Sequence, residues 1–175
     1  MNRNAAIHWK TNNAPGVVVV DGSIREWPDA LGAKPTEAQI DAWGAEYNET
    51  HTREVKNAEV NVIREKKIAA GIPYQFPDGA GTIQTRDEVD IRNIQTNVTT
   101  ALILNSVGET GSVMVFRDME NIEHKMTPQE VLQMGLYAAQ VGQSIYTASW
   151  QLKEAAAGMT AEQIKEFDAE ANWPK

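Results

Sequence analysis

The chain has 175 residues, no cysteine, 42% hydrophobic residues and a formal net charge of −8. This suits one folded domain with a small appendage, and the missing cysteines exclude disulfides, thiolate metal sites and a cysteine nucleophile. The acidic balance argues against nucleic acid, whose phosphates need clustered Lys and Arg, and no apolar run reaches the ~18 residues of a membrane span.

The N-terminal MNRNAAIHWKTNNAPG lacks the apolar centre of a secretory signal, so synthesis in a cytoplasm is expected. Within residues 1–35, APGVVVVDGSIREWPDALGAKP contains four consecutive valines, an Asp21-Gly22 pair and a second apolar segment ending at Trp27-Pro28. Valine favours strands and Asp-Gly favours tight hairpin turns. A β hairpin or extended arm is therefore expected, followed by a linker to Pro35. So short a hairpin buries no core alone, and it must lie on the rest of the chain or on another chain.

From Thr36 the chain reads as largely helical, giving a second region over 36–175. Thr36 precedes Gln39, Thr85 precedes Glu88, Thr127 precedes Glu130 and Thr160 precedes Gln163. Each is a capping-box spacing, in which the Thr hydroxyl and the Glu or Gln side chain satisfy each other's free amides. The first helix is expected over 37–70, stopped by Gly71 and Pro73; unbroken, it would be roughly 50 Å long. IPYQFPDGAGTI predicts a hairpin. A second helix follows from Thr85, with Ile91, Ile94, Val98, Ala101 and Leu102 as a buried stripe. SVMVFRD predicts a strand. A third helix is expected over 128–157, its Gly135 and Gly142 marking close approach by another element, and a last helix over 161–171. The fold class is mainly α with small β elements, α+β, with about four helices.

Asp118, Glu120, Glu123 and His124 crowd into seven positions. Glu120 and His124 share a helix face only if the turn is helical, which the strand before it and the Thr127 cap after it oppose. The segment reads as a junction with its charges in solvent, where His124→Ala costs little. A metal-dependent hydrolase using Asp118, Glu120 and His124 is the alternative enzyme reading. DGAG at 78–81 lacks the remainder of a phosphate loop and reads as a turn. Asp87, Glu88 and Asp90 suit a helix N-terminus. No catalytic residue, metal or cofactor is expected.

Trp43 and Trp150 lie on expected helices and read as core. Trp9, Trp27 and Trp173 lie in segments too short to bury an indole locally. With Val17, Val18, Val19 and Val20, which can add a strand to a partner's sheet, they form a candidate interface.

REKKIAAGIPYQF, IQTRDEVDIRNIQTNVTTAL and VMVFRDMENIEHKMTPQEVLQMGLYAAQVGQSIYTASWQLKEA resemble an uncharacterised domain family of tailed phages and prophages, domain of unknown function 4376, often encoded beside tail-fibre genes. The resemblance covers roughly residues 60–172. DGSIREWPDALGAKPTEAQIDAW is similar to the front of small tail-fibre and tail-assembly proteins. The resemblance implies a non-enzymatic structural protein of the virion tail. It would dock on tail-fibre or baseplate proteins as a homo- or hetero-oligomer. A tail-fibre assembly chaperone absent from the mature virion is the second reading. The family supplies no catalytic residues to carry over.

Overall fold

The computed structural model describes residues 2–174. The chain is mainly α with short antiparallel strand pairs. In order it forms α1 (Arg3–Lys10), β1 (Val18–Val20), β2 (Ser23–Glu26), a 3-10 turn (Asp29–Leu31), α2 (Glu37–Ala69), β3 (Ile72–Phe76), β4 (Gly79–Ile83), α3 (Glu88–Ser106), β5 (Met114–Arg117), β6 (Glu123–Met126), α4 (Pro128–Ala157) and α5 (Ala161–Glu166). The chain divides into two compact units. One runs up to Glu59 and adds Glu154–Asp168; the other is Val60–Lys153 and adds the segment from Ala169.

In the first unit the expected β1–β2 hairpin forms, and Asp21 and Gly22 turn with φ of 49° and 76°. Positive φ at both central residues matches the twist of a two-residue hairpin. Before it stands a helix that was not expected. Asn2 caps α1 by accepting from the Ala5 amide at 3.1 Å. Of the two placements expected for this segment, on the rest of the chain or on another chain, the first is seen: Ile7, Val17 and Ile24 share a buried cluster with Ile40 of α2. Arg3 pairs with Glu37 and Asp41, and Lys10 pairs with Glu46. The expected capping boxes form at Thr36 and Thr160. The last helix stops at Glu166 rather than 171, since Phe167 is extended with φ −68° and ψ 121°.

In the second unit α2 ends as expected, with Gly71 at φ 81°. The β3–β4 hairpin pairs Ile72 with Ile83 and Phe76 with Gly79. Thr85 does not cap α3. Asp87 does, accepting from the Val89 and Asp90 amides at 2.8 and 3.0 Å. Thr85 is buried instead, and its hydroxyl donates to the Ile68 carbonyl at 2.5 Å. The strand at 114–117 turns back into β6, which was not expected. α4 begins at Pro128 behind a Thr127–Glu130 capping box and runs to Ala157. The core gathers Phe76, Ile83, Ile94, Phe116, Met126, Val131 and Met134. Val98 of α3 occupies the space a side chain at Gly135 would need, so the close approach expected there is made. Nothing lies within 4 Å of the corresponding position at Gly142.

Candidate functional site

Two features of the second unit stand out. The first is built on the β5–β6 hairpin, whose residues alternate inward and outward with the strand period of two. Met114 and Phe116 of β5 and His124 and Met126 of β6 face inward. Asp118 continues the inward set and is 0% exposed, and His124 is 2% exposed. The turn between them is closed by Asp118: its amide donates to the Ile122 carbonyl at 3.0 Å, and its carboxylate accepts from the Ile122 amide at 2.7 Å.

The Nε2 atom of His124 lies 3.1 Å from Asp118 Oδ2, and its Nδ1 lies 2.6 Å from Asp78 Oδ1 in the β3–β4 turn. Its ring stacks on Phe76. Gly81 supplies the room, because a side chain there would meet Asp118 and the Phe76 ring. Glu120 accepts from the amide and hydroxyl of Thr82 at 3.0 and 2.8 Å. The Met119 amide donates to the Thr82 carbonyl at 2.9 Å, and the Gln84 side chain donates to the Asp118 carbonyl.

Ionised carboxylates only accept hydrogen bonds, so two of them around one ring favour the doubly protonated imidazolium. Burial pushes the His124 pKa down, but the bonds to Asp78 and Asp118 outweigh it and hold the value above the ordinary one. Burial pushes Asp118 up, and its bonds to His124 and the Ile122 amide outweigh that and hold it low. The bond from His124 lowers Asp78. Asp118 and His124 thus lie in the interior, not on the solvent face expected for them, because β6 turns the ring inward. Glu123 stays outside, paired with Arg117. An imidazolium has no lone pair for a metal or a substrate proton. Among the described residues no group of three or more His, Asp and Glu side chains is arranged to hold a metal ion. The arrangement ties two hairpins together.

The second feature is a groove of about 780 Å³ formed mainly by α3 and α4. Ile91, Val98 and Leu102 contribute from α3, and Leu136, Ala139 and Tyr146 from α4; no charged side chain lines it. The expected α3 stripe is thus only partly buried: Ile94 and Ala101 face the core, while Ile91 and Leu102 are exposed. Trp150, expected in the core, is 54% exposed. Trp43 is half-buried against the Ile7 cluster.

The other candidate interface residues divide. Val17 is buried and Val19 packs on the first unit's core, while Val18 and Val20 face outward. Trp9 is exposed and meets Tyr47 edge-on at 5.9 Å. The indole nitrogen of Trp27 donates to the Gly32 carbonyl at 2.9 Å, and that of Trp173 to the Ala169 carbonyl at 2.8 Å. The groove and Asp78 were missed from sequence. The first depends on which helix face stays uncovered, and the second lies 46 residues from His124.

A family model described as domain of unknown function (DUF4376) matches residues 51–171. The chain belongs to this family. The DUF4376 segment holds both hairpins of the second unit, the His124 cluster and the α3–α4 groove, whereas α1 and β1–β2 precede it. No curated protein and no solved structure matches the chain. Among the described residues no helix is long and apolar enough to cross a membrane.

Proposed function

We propose that this DUF4376 protein is a non-enzymatic docking component of a phage tail, acting in the tail-fibre or baseplate region by binding neighbouring chains. The observation that supports this most is the α3–α4 groove. Its lining is mainly apolar and carries no charged side chain, and Ile91, Leu102, Leu136 and Tyr146 in it are exposed to solvent. Exposed apolar surface of this kind suits a protein partner. A catalytic cleft, by contrast, presents titratable groups to substrate, and the best titratable cluster of this chain is buried and engaged by its own neighbours. The tail context comes from the sequence resemblance. Trp9, Val18 and Val20 offer a smaller outward patch on the first unit.

The same groove also suits an assembly chaperone that holds a fibre segment and then leaves. Quantitative mass spectrometry of purified particles separates the two roles. Stoichiometric copies are expected for a tail component; absence from particles but recovery with fibre intermediates makes it a chaperone. Absence from both overturns the tail reading. Deleting residues 1–28 is a poor probe of docking, because it removes Ile7, Val17 and Ile24 from the first unit's core. Val18→Asp with Val20→Asp tests the outward patch instead.

A further inference from the structure

We infer that the α3–α4 face is a self-association surface, on which a second copy of this chain packs with its own α4 antiparallel to the first. This deepens the docking reading by naming the occupant of the groove.

Charge is the first argument. The chain carries a net charge of −8, yet no charged residue occurs between Glu130 and Lys153 on α4, or between Arg92 and Glu109 across α3 and its end. Both stretches include side chains that stand in solvent, among them Leu102, Ile103, Leu136, Tyr137 and Trp150. An exposed helix face ordinarily carries charges, and interface centres are depleted of them. In a twofold dimer each patch meets its own copy, so for an acidic chain a face without carboxylates avoids the like-charge repulsion that its other surfaces would meet.

Relief is the second argument. Leu136 and Tyr146 are 61% and 38% exposed on α4, and Ala139 and Gly142 lie between them along the same groove. At Gly142, apart from the neighbouring residues and backbone of α4 itself, no atom of the described residues comes within 4 Å of where a side chain would begin. Glycine is a poor helix former, and at Gly135 the reason for it is Val98, whereas at Gly142 the chain supplies none. An antiparallel α4 pair centred between Ala139 and Gly142 sets Leu136 of one copy beside Tyr146 of the other, over the recess. The projections and the recess are then complementary within one surface.

Sedimentation equilibrium of the full chain from about 1 to about 100 µM, a range that brackets micromolar affinity, tests this. The wild type is expected to have the mass of a dimer in the upper part of that range. Leu136→Glu is expected to raise the dissociation constant by about 100-fold or more, since it buries an unpaired carboxylate against Tyr146 of the other copy. Leu102→Glu, at a second exposed position, reads the same effect should Leu136→Glu lose its native circular dichroism. The chain has no cysteine, so Ala139→Cys should form a disulfide-linked dimer under mild oxidation, and Lys165→Cys on α5 should not. A monomeric wild type throughout, or a dimer unchanged by folded Leu136→Glu and Leu102→Glu variants, overturns the inference. The first result leaves the face to a different chain. Particle mass spectrometry reads the tail assignment independently of either.

Discussion

His124 lies face to face with Phe76, their ring centroids 3.7 Å apart and their planes inclined by 5°. The ring that stacks on β3 also bonds the β3–β4 turn through Asp78 and the β5–β6 turn through Asp118. Removing it leaves the fully buried Asp118 carboxylate without its charged partner. His124→Ala should therefore lower stability by about 3 kcal/mol, the usual scale for breaking a buried ion pair. Thr127→Ala should cost about 1 kcal/mol through the lost cap. Urea denaturation of both variants checks the order, which reverses the sequence expectation that His124→Ala costs little.

The same cluster sets a pH optimum. His124 is raised above its ordinary 6.5, so its stabilisation is complete below that pH and is lost as pH rises through the folded value. Asp78 and Asp118 are held below their ordinary 3.8, so theirs is complete above that pH and is lost as pH falls through their folded values. The cluster stabilises most between those two ordinary values. A urea midpoint measured against pH should be highest in that window and fall on the alkaline side. His124→Gln should flatten the alkaline fall. An equal alkaline fall in the variant would assign the dependence to other groups.

Thr85, expected as the cap of α3, and Asp87, which takes that place, should respond differently to substitution. Asp87→Ala removes the cap and should cost about 1 kcal/mol. Thr85→Val keeps the shape but removes the donor to the Ile68 carbonyl at the end of α2. The Ile68 carbonyl keeps its bond from the Gly71 amide at 3.2 Å, so the loss is that of one net hydrogen bond, about 1 kcal/mol. Amide exchange should then quicken at the C-terminal end of α2 in Thr85→Val and at the first turn of α3 in Asp87→Ala.

Gly135→Ala forces its new methyl group against Val98. Overpacking of this kind costs about 1–3 kcal/mol. Val98→Ala on the same background should recover most of that loss, giving a double-mutant cycle with clear coupling. Additive effects would show that the two helices are not in contact there.

Much of the helical fold was legible because local signals agreed. For α4 the Thr127 cap, Pro128 at the first helical position and Gly158 past the end point to the same span that forms. At α3 the expected Thr85 cap was displaced by Asp87, two residues on, and Asp caps somewhat better than Thr. α1 was missed because RNAAIHWK is short and its Asn2 cap is its main signal. β6 was missed because one of its two inward residues is a histidine, which leaves Met126 alone and no apolar alternation to read. Two members of the buried cluster were visible as chemistry, but their burial depended on Asp78, Phe76 and Gly81, which only the tertiary fold brings near. Trp150 shows the converse limit: helical spacing identifies a face without saying whether anything covers it.

Each strand pair is a separate two-stranded sheet, so no ladder of backbone bonds joins β3–β4 to β5–β6 among the described residues. The joining falls to His124, which bonds Asp78, and to the turn after β5, where Met119 and Glu120 grip Thr82 and the Asp118 carbonyl accepts from the Gln84 side chain. In mutational terms this turn is interior rather than loop. Length changes between 118 and 122 should be as poorly tolerated as gaps in a strand, and evolutionary drift along this family should be freer on the outer turns of α3 than in this short, polar bend.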